Sequence, residues 1–120
     1  MKLHRLRLTN FRGIDDVYNA LAPILARHHL IIVPRVLYRE KTERETAKGG
    51  ALFYVVVHVE FDIICSTDGT RITAATYGEA MDSADKATNK AMSAAYKYMA
   101  THTFCIPTDG DNDADASHHD

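Results

Sequence analysis

"ALFYVVVHVEFDIICSTDGTRITAATYG", residues 51–78, is the part of the chain from which the architecture can be built. Val55, Val57, Val59, Phe61 and Ile63 alternate with Tyr54, Val56, His58, Glu60 and Asp62. Period two, with apolar residues on one side and mixed residues on the other, predicts a half-buried strand over 51–65. Asp68–Gly69 is a hairpin turn signal, because glycine reaches positive φ without cost. "RITAATYG", residues 71–78, then returns as the antiparallel partner, with the glycine read as the turn out of the strand.

Upstream, "LIIVPRVLYRE", residues 30–40, is rich in β-branched residues and reads as a third strand. Pro34 cannot donate to a ladder, so this strand belongs at an edge or carries a bulge. "KTERETAKGG", residues 41–50, is polar, highly charged and ends in two glycines, and reads as an exposed loop or hairpin tip. Before it, "GIDDVYNALAPILARHHL" has Val17, Leu21, Ile24 and Leu25 on one helical stripe. Asp15 or Asp16 can cap this helix, and Pro23 predicts a kink or break. Residues 1–10 form an atypical N-terminal arm. A long helix is expected from near Asp82 to near Thr101. Beyond Pro107, "TDGDNDADASHHD" has no apolar residue larger than alanine, so residues 108–120 read as a disordered acidic tail. The expectation is an α+β domain over 11–107, a three-stranded antiparallel β-meander with helices packed on one face.

One such core is what 120 residues can build, at 46% hydrophobic and 25% charged. No apolar run is long enough to span a membrane, and the start lacks a secretory pattern. Cys65 and Cys105 are not a CxxC pair and read as buried free thiols of a reducing compartment. The net charge of −2 conceals an asymmetry. Residues 1–48 carry ten Lys/Arg against five Asp/Glu, whereas residues 101–120 carry five acids and no Lys/Arg. A basic face is therefore compatible with the acidic total.

The long helix concentrates cations. At about 100° per residue, Lys86, Asn89, Lys90, Ser93, Lys97 and Thr101 fall on one polar stripe that contains no acid. Ala87, Ala91, Ala94, Ala95, Tyr98 and Met99 fall on the other side, as a buried face whose small residues let the helix approach the sheet closely. Asp82 and Asp85 would sit in the first turn, at the positive end of the dipole. A solvated face is the plain reading of any lysine-bearing helix. Most surfaces intersperse signs, however, and this stripe does not. Tyr96 edges it, and lysines beside an aromatic ring are a pattern used for single-stranded nucleic acid.

Other motifs have bland readings. Ser83-x-x-Lys86 matches the start of serine acyl enzymes, but the accompanying S-D-N and K-T-G elements are absent. Asp109, Asp111, Asp113 and Asp115 space like a calcium loop, but Ala114 stands where the turn needs glycine. His118 and His119 belong to a polar tail, His28 and His29 close a helix, and His58 is a histidine on the exposed face of a strand. No metal site, cofactor or catalytic centre is expected.

Two stretches resemble a known family. "FRGIDDVYNALAPIL" and "YGEAMDSADKATNKAMSAAYKYMATHTFCIPTDGDNDAD" are similar to signature segments of the ERF (essential recombination function) single-strand annealing proteins of bacteriophages and prophages. The resemblance covers about residues 11–116. The opening "MKLHRLRLTNFRGI" is also similar to the first strand of recombination ATPases, but no phosphate-binding glycine loop follows it. The ERF resemblance implies a β-β-β-α annealing core and a non-enzymatic protein of the bacterial host cytoplasm. Such a protein would bind single-stranded DNA and anneal complementary strands without ATP during recombination. It would act as a homo-oligomer, ring or helical filament, with host single-strand-binding or recombination proteins as further partners. The matching positions Lys86, Asn89, Lys90, Tyr96 and Lys97 would line the DNA, with Ser93 of the same polar stripe beside them. Arg35, Arg39 and Arg71 would extend the groove, and Tyr96 or Tyr77 would stack a base. A strand such as 51–65 could pair edge to edge between protomers. The competing reading is a protein-interaction module without annealing activity, in which the helix docks an acidic partner.

Overall fold

A computed structural model describes residues 13–83 and 86–107. The N-terminal arm, Ala84, Asp85 and the acidic tail with its calcium-like spacing and terminal histidines lie outside the described residues. The elements run α1 (Ile14–Arg27), β1 (Leu30–Glu45), β2 (Ala51–Cys65), β3 (Arg71–Asp82) and α2 (Lys86–Thr103). The strands form one antiparallel sheet in the order β1-β2-β3. Both helices pack on the same face of it, which is the expected α+β meander. No helix among the described residues is long and apolar enough to cross a membrane.

The alternation of β2 sets the core. Val55, Val57, Val59, Phe61 and Ile63 are buried under the helices with Val17, Leu21, Ala87, Ala91, Ala95 and Met99. Each large side chain buried there contributes about 1.5–3 kcal/mol. Being central, β2 uses both of its edges within the chain, so it has none left for a second protomer. The free edges belong to β1 and β3. The Asp68–Gly69 turn forms as expected, with Gly69 at φ 78°. Asp68 accepts hydrogen bonds from the Thr70 N–H at 2.9 Å and hydroxyl at 2.7 Å.

Pro34 lies on an edge strand, and a bulge follows it between Val36 and Tyr38. The segment read as a loop from residue 41 is instead strand as far as Glu45, paired with residues 51–55. Its side chains are exposed on both faces because the arm extends beyond the helices, so it shows no apolar alternation. Helix α1 runs through Pro23 as one 14-residue element. Its N-cap is Gly13, and Asp15 and Asp16 lie in the first turn rather than at the cap.

The largest departure concerns Gly78, which is not a turn but the eighth residue of a strand that continues to Asp82. A Cβ there would lie 2.6 Å from the Ala95 nitrogen and 2.9 Å from its Cβ, and closer still to the Ala91 carbonyl oxygen. The glycine is the point where helix backbone meets sheet backbone. Asp82 is accordingly the end of β3 rather than part of the first turn of α2, and Asp85 lies outside the described residues. The buried row of α2 is Ala87, Ala91, Ala95 and Met99, at steps of four. Ala94 is half-buried, and Tyr98 is exposed and stacked on His102.

The end of α2 closes on itself. Cys105 adopts a left-handed φ of 57°, and the Ile106 N–H donates to the Thr101 carbonyl at 2.8 Å. This is the six-to-one bond of a Schellman cap, with Ile106 as its apolar anchor. Ile106, Ala100 and Thr101 are buried together at this end. The cysteines are free but not buried as expected: Cys65 is half-buried and Cys105 exposed, each lying where an element ends.

Candidate nucleic-acid interface

The sequence-selected residues divide between the two sides of the sheet. Lys86, Asn89 and Lys90 are exposed along α2, and Ser93 and Lys97 are half-buried further on. Lys86 and Lys97 make no ion pair among the described residues. Lys90 pairs with the carboxylate of Asp82 at the end of β3. That lysine, followed by the Ser83 N–H, holds the Asp82 carboxyl below the usual carboxylate range. Thr101 leaves the stripe: it is buried, and its hydroxyl donates to the Lys97 carbonyl at 2.9 Å.

Tyr96 does not stand at the edge of an open groove. Its ring packs edge-on against Tyr18 at 4.9 Å and against Phe61 at 5.7 Å. Burial, then the nearby Asp15, pushes the pKa of the Tyr18 phenol up, and burial, then Tyr18, pushes that of Tyr96 up. Tyr96 therefore joins α1, α2 and β2, where its ring is occupied by protein.

Arg39 does reach the lysine helix. It lies on the helix-facing side of β1, opposite Val57, and its guanidinium donates to the Thr88 hydroxyl of α2 at 3.2 Å. Two residues on, Lys41 occupies the same side, with its ammonium 4.4 Å from the centre of the Phe53 ring. Sequence reasoning missed Lys41 because the segment 41–50 looked like a loop. The usable signal was its i+2 spacing from Arg39. Cations from β1 and from α2 thus share one side of the molecule.

Arg35, Arg71 and Tyr77 are on the opposite, uncovered side. Arg35 donates to Asp62 at 2.8 Å and to Glu60 at 2.8 Å, so its charge is committed within the sheet. Thr73 adds a hydroxyl to Asp62 at 2.8 Å, and Arg71 stands 3.7 Å away. Asp62 is only 3% exposed despite belonging to the open face, because these side chains fold over it. The Arg35 hydrogen bond, then that of Thr73, holds its carboxyl down to about 2. Tyr77 lies parallel to His58, ring centres 4.3 Å apart.

A family model described as ERF superfamily matches residues 8–120. The chain belongs to this superfamily. No curated protein and no solved structure matches it. ERF membership suggests a role in phage recombination and annealing. Within this ERF domain the cation-rich side comprises α2 and the adjoining edge of β1, and the second side is an open sheet face.

Proposed function

We propose that this ERF protein binds single-stranded DNA and anneals complementary strands without ATP. The phosphate contacts are Lys86, Lys90 and Lys97, extended by Arg39 and Lys41. The observation that carries this reading is the hydrogen bond from Arg39 to Thr88, which joins β1's cations to the acid-free line on α2. Annealing requires no nucleophile. It needs backbone charge to be screened while base edges stay free to pair. Ion pairing to Asp82 leaves Lys90 exposed and positioned rather than buried.

Of these five contacts, the three lysines contribute about −2 to the log–log salt slope, from about −0.7 per contact on single strands. Replacing Lys86, Lys90 and Lys97 together by alanine is expected to reduce the magnitude of the slope by about 2 in an oligonucleotide binding titration. An unchanged slope in that triple variant contradicts the assignment of the contacts.

A further inference from the structure

We propose that the open face of the sheet is a stacking platform for the bases of single-stranded DNA, centred on Tyr38, His58 and Tyr77. This rests on the DNA-binding reading above and assigns the bases a surface separate from that of the phosphates.

The three rings form one row across all three strands. Tyr38 is the register partner of His58, and His58 is the partner of Tyr77. The bulge in β1 creates this row. Val36 is opposite Val59, so regular pairing would put Leu37 opposite His58 and turn Tyr38 towards the helices. The extra residue re-aims Tyr38 onto the open face, which is a recognised use of a bulge. His58 and Tyr77 lie within 11° of parallel, so one ring steadies the other. Tyr77 stands on an edge strand and keeps its far side open. Tyr38 and Tyr77 are 53% and 61% exposed, so this aromatic surface adds little to the folded core.

The surroundings suit bases better than phosphates. Glu60 and Asp62 are occupied by Arg35. Glu79 accepts from the Tyr54 hydroxyl at 2.7 Å, and Glu40 from the Tyr38 hydroxyl at 3.1 Å. The acids beside the row are thus internally bonded, and the face, with Arg35, Arg44 and Arg71 against Glu40, Glu60, Asp62 and Glu79, is not basic. Sheet aromatics on such a face bind unpaired bases through their π surfaces. Stacking leaves the pairing edge of a base uncovered, which is the condition annealing requires. Tyr77 and the Asp82 that holds Lys90 stand on opposite faces of the same edge strand, β3, so a single strand reaching both the platform and the lysines would turn round that edge.

The test compares binding of a fluorescent oligonucleotide, and of its abasic counterpart, to the full chain and to Tyr38→Ala/Tyr77→Ala and Tyr77→Phe. The double variant is expected to bind at least about tenfold more weakly, with the salt slope unchanged and the thermal midpoint close to that of the parent. Tyr77→Phe is expected to bind like the parent, and the parent to prefer the strand that carries bases. Parent-like binding by the double variant, alongside weak binding by the lysine triple variant, overturns the platform and leaves the DNA reading standing. The face would then serve a protein partner or a second copy. Absence of oligonucleotide binding by the parent chain removes both.

Discussion

The two faces of the sheet are built from alternate residues of the same strands, yet they are organised differently. On the helix side, small residues bring backbones together: Gly78 meets Ala91 and Ala95, and the valines of β2 fill the space beside them. On the open side, large rings remain exposed and the charged groups bond to one another. Stability is concentrated on one face, which leaves the other available for recognition. A single strand such as β2 carries both roles because its side-chain period is two.

The sharpest way to break this comparison is to truncate one ring on each face. Phe61→Ala is expected to cost about 3–5 kcal/mol in urea unfolding, as for other buried aromatics. Tyr77→Ala on the exposed face should stay within about 1 kcal/mol. Equal losses would mean that the open face is part of the core.

Gly78→Ala is expected to cost about 3 kcal/mol, at the upper end of overpacking effects, because helix backbone occupies the added position. Ala75→Val, three residues earlier and on the exposed face, should change stability by no more than about 0.5 kcal/mol. A tolerated Gly78→Ala would show that α2 can move away from the sheet.

The smallest effect concerns pH. The Asp62 carboxyl is lowered in the folded state from 3.8 to about 2. A depressed carboxylate stabilises the fold fully above its unfolded value, and this contribution is lost as pH falls through the folded one. Stability should therefore decline between about pH 4 and pH 2. Arg35→Gln should move the Asp62 titration, followed by carbonyl NMR, back towards the ordinary carboxylate range. An Asp62 titration unmoved by this substitution would contradict the network.

Much of this architecture could be read from the residues. The alternation of β2, the Asp68–Gly69 turn and the edge position of Pro34 are local signals that tertiary packing did not override. Gly78 was misread because a glycine after a strand pattern resembles a turn. Thr76, Gly78 and Ala80 are small because a helix lies on them, and no local rule contains that helix. Lys41 to Glu45 looked like a loop because the strand arm there has no covered face. The lysine line on α2 was legible from helical spacing, and so was its closeness to the sheet. The packing of Tyr96 was not, since it depends on Tyr18 from a distant helix. Nor could the row of Tyr38, His58 and Tyr77 be aligned, because one bulge residue shifts the register.

The central claim is most directly tested by annealing complementary oligonucleotides with the purified chain, without ATP, across a salt series. The account predicts annealing faster than the spontaneous rate, weakening with salt along a binding slope of about −3.5 per protomer, from about −0.7 for each of the five proposed contacts. Annealing no faster than the spontaneous rate at any salt concentration, or acceleration that does not change with salt, would contradict it.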